Sequence, residues 1–80
     1  MARNMSKEGK SELRALGAAI RAGRKRFEMS QEDFAEVCDV HRTYLGQLER
    51  GEKNVSFINV LRVARALRVK PSALLDSAGL

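Results

Sequence analysis

Arg42, Thr43, Gln47 and Arg50, in the string HRTYLGQLER, are the side chains of this sequence best suited to chemistry with a ligand. Leu45 and Leu48 lie three apart and turn one side of a short helix inward. Arg42, Thr43, Gly46, Gln47 and Arg50 are therefore expected on the outward side. The polar groups of that side suit the edges of DNA bases in a major groove. Arginine pairs bidentately with guanine O6 and N7, glutamine with adenine N6 and N7, and threonine offers a hydroxyl and a methyl, the latter for thymine. Arg42, Thr43 and Gln47 are the candidates for direct base readout, and Arg50 for a phosphate contact. Gly46 between them removes bulk and is expected to let the helix lie close against a surface.

Such a face is useful only if its helix is held at a fixed angle, and the longer string QEDFAEVCDVHRTYLGQLER, Gln31 to Arg50, supplies the means. Ala35 sits where a large side chain would push the next helix away, while Phe34, Cys38, Val40, Leu45 and Leu48 form an apolar wedge. Two short helices crossing at a tight turn are the arrangement of a helix-turn-helix, whose second helix enters a major groove. Ser30 and Asp33 form an imperfect capping box that starts the first of these helices at Gln31, to end near Cys38. Asp39 makes the turn, and Gly51 stops the second helix after Arg42 to Arg50. Gln31 opens its helix, where side chain and free backbone N–H together suit a phosphate. Lys53, Asn54 and Ser56 flank the start of the next helix and are candidates for another.

The other elements support this pair. Apolar or small positions at Leu13, Leu16, Ile20, Gly23 and Phe27 recur at helical spacing, predicting a first helix from about Glu12 to Phe27. Gly23 weakens that helix by roughly 1 kcal/mol relative to alanine, unless it permits close approach of another helix. Ser56 caps a fourth helix with a predicted inner face of Phe57, Val60, Leu61, Ala64 and Leu67. Pro71 opens a short fifth helix through Leu74 and Leu75. No segment has a period of two, so the expected fold is all-α, a compact five-helix domain with a central helix-turn-helix.

Eighty residues allow one domain, near the lower size at which a core suffices without disulfides or metal, so dimerisation would help. Residues 12–80 are assigned to that domain and residues 1–11, polar and carrying Arg3, Lys7 and Lys10, to a flexible basic arm. The net charge of +5 is concentrated: residues 1–27 hold eight of the fifteen Lys and Arg against Glu8 and Glu12 alone. A basic segment beside a nearly neutral one suits a polyanion, since each neutralised phosphate releases counterions; a solubilising charged tail has the same composition. The single cysteine, Cys38, reads as a small buried hydrophobe in a reducing cytoplasm. One histidine and one cysteine are too few for a zinc site, and no cofactor is expected. No apolar run is long enough to span a bilayer. Neither a P-loop nor an HExxH is present, nor an evident Ser-His-Asp set, so an enzyme is the least favoured class.

The strings LGAAIR, MSQEDFAEV, HRTYLGQLERGEKNVS and VARALRVKPSALL, between Leu16 and Leu75, resemble the phage repressor and Cro class of helix-turn-helix regulators, the XRE family. The resemblance implies a five-helix repressor-like domain that binds double-stranded DNA as a two-fold dimer on a pseudo-palindromic operator. It also implies that Gln31 contacts phosphate and that Arg42, Thr43 and Gln47 face bases. An arginine late in the first helix pairs in this class with a glutamate near the end of the recognition helix. Arg24 and Glu49 match those positions, with Arg24 expected near a phosphate. RTY and ERGEKN further resemble the controller proteins of restriction-modification systems. Three positions depart from the class: Asp39 replaces the glycine usual at the turn, Gly23 replaces an apolar residue, and His41 stands where a small Ser or Thr commonly caps. The His41 cap is thus left open, and its imidazole is assigned to a phosphate. Tyr44 is a phosphate contact or a partly buried packing residue; both readings stand. Leu74, Leu75 and Leu80 suggest either core or a homodimer contact through the C-terminal helices. The alternative function is an antitoxin-like module whose main partner is a protein, and a third is non-specific binding of nucleic acid through the arm.

Overall fold

The helix boundaries follow from caps that can be read residue by residue. The computed structural model describes the backbone of residues 5–80 and the side chains of residues 9–80. Five helices follow in order: α1 (Met5–Arg26), α2 (Gln31–Cys38), α3 (Arg42–Glu49), α4 (Phe57–Ala66) and α5 (Pro71–Ser77), and there is no strand among the described residues. The Ser30 hydroxyl accepts from the Asp33 N–H at 3.0 Å and that of Ser56 from the Asn59 N–H at 3.1 Å, as their positions predicted. Helix α1 begins at Met5, not near Glu12, so the backbone of residues 5–11 continues the helix toward the N-terminus. Residues 1–4 of the expected arm, and the Lys7 side chain, lie outside the described residues.

Three helices end on left-handed residues that are not glycine. Glu28, Asp39 and Arg68 have φ of 57°, 62° and 60°. In each case the following residue, Met29, Val40 or Val69, sends its N–H back to a carbonyl five residues earlier and packs against the core. This is the Schellman termination with its hydrophobic contact. Asp39 therefore makes the α2–α3 turn without glycine: its N–H bonds the Glu36 carbonyl at 3.1 Å, and that of Val40 reaches Ala35 at 3.0 Å.

The core joins Leu16 and Ile20 of α1, Phe34, Ala35 and Cys38 of α2, Leu45 of α3, Val63, Ala64 and Leu67 from α4, and Leu74 of α5. The predicted inner face of α4 needs correcting. Phe57 is 72% exposed and Leu61 only half-buried, whereas Val63 is fully buried. Phe57 fits the period but stands at the first position of α4, before the helix passes over the core. Leu74 belongs to the core, which removes it from the residues free for a dimer contact. Burial, with the Glu49 charge a smaller cause, pushes the Cys38 thiol up to about 11.

Glycines set the approach of α1 to its neighbours. A Cβ on Gly17 would lie 2.6 Å from the Glu49 carbonyl oxygen and closer still to that of Leu48, both rigid backbone. On Gly23 it would meet only Leu67 side-chain atoms at 2.8 and 2.9 Å, so this glycine does permit a close approach. Gly51, at φ 73°, lets the chain leaving α3 press on the backbone of Arg14.

The α1–α3 contact is locked by charge as well as shape. Arg24 donates from Nε to Glu49 Oε2 at 2.7 Å, from Nη2 to Oε1 at 3.0 Å, and from Nη1 to the Met29 carbonyl at 2.9 Å. Gln31 Nε2 adds a donor to Glu49 Oε1 at 2.9 Å. The hydrogen bonds to Glu49 hold the Arg24 guanidinium above its usual range despite burial.

Four substitutions test this packing in urea denaturation. Gly17→Ala is expected to cost about 1–3 kcal/mol or more, because backbone must move, while Gly9→Ala, whose Cβ meets nothing within 4 Å, should gain up to about 1 kcal/mol. Removing the buried partner of Arg24 with Glu49→Ala should cost about 3–5 kcal/mol. The raised Cys38 pKa gives stability that is full below the unfolded thiol's value near 8.5 and is lost as pH rises toward about 11. A Cys38→Ala variant should lack that alkaline component.

Candidate nucleic-acid interface

Helix α3 is short, and each of its sides has a separate role. Leu45 and Leu48 are buried as predicted, and Arg42 and Thr43 are exposed, with Gln47 half-buried beside them. These three sequence-predicted base-reading residues stay together on one side. Gly46 does not lie bare between them. It is buried, with Arg50 Nη1 and the Gln31 amide 3.3–3.9 Å from where its Cβ would stand. Its lack of a side chain makes room for those two groups, and it is not itself the contact surface.

His41 corrects the expectation at the start of α3. Its Nδ1 accepts from the Thr43 N–H at 3.0 Å, so the imidazole does the work of the missing Ser or Thr. An accepting Nδ1 places the neutral ring's proton on Nε2, leaving an N–H on the exposed edge. The ring therefore caps and keeps one donor for an outside partner.

The proposed phosphate set divides into free and committed groups. Lys53, Asn54 and Ser56 are exposed beyond α3, Ser56 also capping α4. Gln31 is half-buried and tied to Glu49, which fixes its amide at the start of α2. Arg24, buried, has each of its nitrogens engaged with Glu49 or Met29; its position is that of a brace behind the surface. Tyr44 is half-buried and its hydroxyl accepts from Asn59 Nδ2 at 3.0 Å. That bond ties α4 to α3, while Arg62 donates to Asn59 Oδ1 within α4 at 3.3 Å and to the Asp39 carbonyl at 3.4 Å, tying α4 to the turn. Asn59 and Arg62 carry little signal in the sequence beyond being a polar pair three apart on a mostly apolar helix.

Two surface acids modulate the cations. Glu32 stands 3.9 Å from Arg42, both side chains mostly in solvent, a pair that holds Arg42 only weakly. Glu52 grips Arg50 at 2.9 and 3.1 Å, a bidentate geometry. That hydrogen bonding holds the Glu52 carboxyl below the usual range and the Arg50 guanidinium above its own. Among the described residues no group of three or more His, Cys, Asp or Glu is placed to hold a metal ion, and no helix is long and apolar enough to cross a membrane.

The same architecture recurs in known proteins. The control protein C.BamHI of Bacillus amyloliquefaciens is 52% identical over 48 residues, 60% of this chain and 59% of that protein, so the match spans less than two thirds of that relative. The control protein C.SmaI of Serratia marcescens is 38% identical over 65 residues, 81% of this chain and 77% of its own length. The crystal structure of the restriction-modification controller protein C.AhdI from Aeromonas hydrophila superposes with a TM-score of 0.76 at 38% identity, over 79% of this chain and 96% of that one. A family model described as helix-turn-helix matches residues 20–74. With its helices, its turn and more than half of its length matched in this way, the chain belongs to the XRE-type helix-turn-helix family of DNA-binding regulators.

Proposed function

We propose that this protein is a sequence-specific transcriptional regulator that reads the major groove through Arg42, Thr43 and Gln47 and works in the cytoplasm as a homodimer on a pseudo-palindromic operator. The observation that carries the reading is the exposed, polar side of α3, set on a helix whose opposite side is fully packed. An α-helix rises 1.5 Å per residue, so the eight residues of α3 span about 12 Å, the width of the major groove. Gln31, His41 through Nε2–H, Lys53, Asn54 and Ser56 supply phosphate anchorage, which positions the helix without carrying sequence information. Arg50 joins them by exchanging Glu52 for phosphate. Tyr44 and Arg24 support the surface from behind.

A two-fold dimer doubles these contacts and places two recognition helices about 34 Å apart, one turn of DNA. Leu75 and Leu80, at the C-terminal end, and Phe57 and Ile58, at the start of α4, remain exposed apolar residues that favour pairing through the C-terminal helices. The likeness to control proteins favours a role in a restriction-modification system over an antitoxin role. The function so read is binding alone and uses no cofactor.

Binding-site selection from random duplexes tests the reading. The wild-type chain should enrich a two-fold site, and Arg42→Ala or Gln47→Ala should relax preference at particular base positions by about 1–3 kcal/mol. Lys53→Ala should weaken all sequences about equally. Unchanged preference in both α3 variants would exclude direct readout by this helix.

A further inference from the structure

Helix α1 carries a row of cations that the recognition surface does not use. Lys10, Arg14, Arg21 and Lys25 recur at the helical period along one side of α1, and all four are exposed. Among the described residues none of them is in an ion pair or a side-chain hydrogen bond. The fifteen helical steps from Lys10 to Lys25 correspond to about 22 Å of helix.

Two depressions place this row beside the end of α3. One, of about 700 Å³, runs between Lys10, Leu13 and Arg14 of α1 and Arg50, Gly51 and Asn54 beyond α3, with Glu12 and Glu52 on its walls. The other, of about 420 Å³, is lined by Ala18, Ala22, Arg21, Lys25 and the acidic Glu49. Arg50 and Asn54, already in the proposed phosphate set, line the first depression, so the row adjoins that surface.

We propose that the α1 row binds the phosphodiester backbone of the DNA flanking the half-site, as that strand leaves the base-read segment. The proposal rests on the DNA-binding reading above. With α3 spanning the groove, one bounding strand passes its C-terminal end at Arg50 and is carried from there onto α1. Helix α1 packs on both α3 and α5, and its row begins beside Arg50. Charge decides the occupant: four free cations with no sequence-reading donors between them suit a polyanion of regular spacing.

The test compares two duplexes carrying the selected site, one ending at the outer edges of the half-sites and one extended by about one helical turn on each side. The wild-type chain is expected to bind the extended duplex more tightly and with a steeper salt dependence. An Arg14→Ala, Arg21→Ala double variant should match the wild type on the short duplex. On the extended one its log–log salt slope should be shallower by about 0.9 for each contact removed. Equal loss on both duplexes, or no loss on either, overturns the proposal while the wild-type chain's site selection still supports the functional reading. No loss on DNA combined with loss of binding to an acidic peptide would assign the row to a protein. A wild-type chain that selects no site defeats the functional reading itself, and the proposal falls with it.

Discussion

The placement of α3 and its exposed side depends on the carboxylate of Glu49. It sits near the end of α3, is nearly withdrawn from solvent, and receives two donors from Arg24 and one from Gln31. Those three hydrogen bonds join α1, α2 and α3 at one point. A buried carboxylate is costly to desolvate, and only full pairing makes it tolerable. Among the described residues no buried side-chain nitrogen or oxygen lacks a partner, so the pairing here is complete. The resulting orientation is specific, because the bidentate fork of an arginine and the amide of Gln31 accept only one placement of α3. Gly17 is the steric half of the same contact: the carbonyl end of α3 rests where any other residue would put a side chain.

From that anchor the surface separates into groups that hold and groups that are available. Arg24 and Tyr44 are engaged inside the protein, while Arg42, Thr43, Lys53 and Asn54 face solvent. His41 belongs to both classes, capping through one nitrogen and exposing the other. Arg50 is intermediate. Its bidentate pair with Glu52 lies on the surface, so salt and competing phosphates weaken it readily. The turn is braced from the far side by Arg62 on the Asp39 carbonyl.

Much of this was legible in the residues, for identifiable reasons. The limits of α2 and the starts of α3, α4 and α5 were marked by local chemistry: a capping serine, a first-turn proline, an aspartate able to adopt left-handed φ. The inward placement of Leu45 and Leu48 followed from spacing alone. What was not legible depends on three-dimensional proximity. Nothing local distinguishes Gly17 from Gly9, yet one touches backbone and the other open space. Phe57 has the right period for a core residue but lies at the helix end, beyond the neighbours that would cover it. Gly46 was read as bare because Gln31 and Arg50, which cover it, come from a different helix and from beyond the last turn. The start of α1 was missed because residues 5–11 lack an apolar stripe; their helical backbone extends α1 without needing one.

The central claim is that α3 lies in the major groove with its arginine at guanine edges. Dimethyl sulfate methylates guanine N7 in the major groove and adenine N3 in the minor groove, so a footprint on the selected operator distinguishes the two. Protection of guanine N7 at two sites about 34 Å apart, with adenine N3 still reactive between them, is the expected result. Unprotected N7 throughout, or protection confined to adenine N3, would contradict the account.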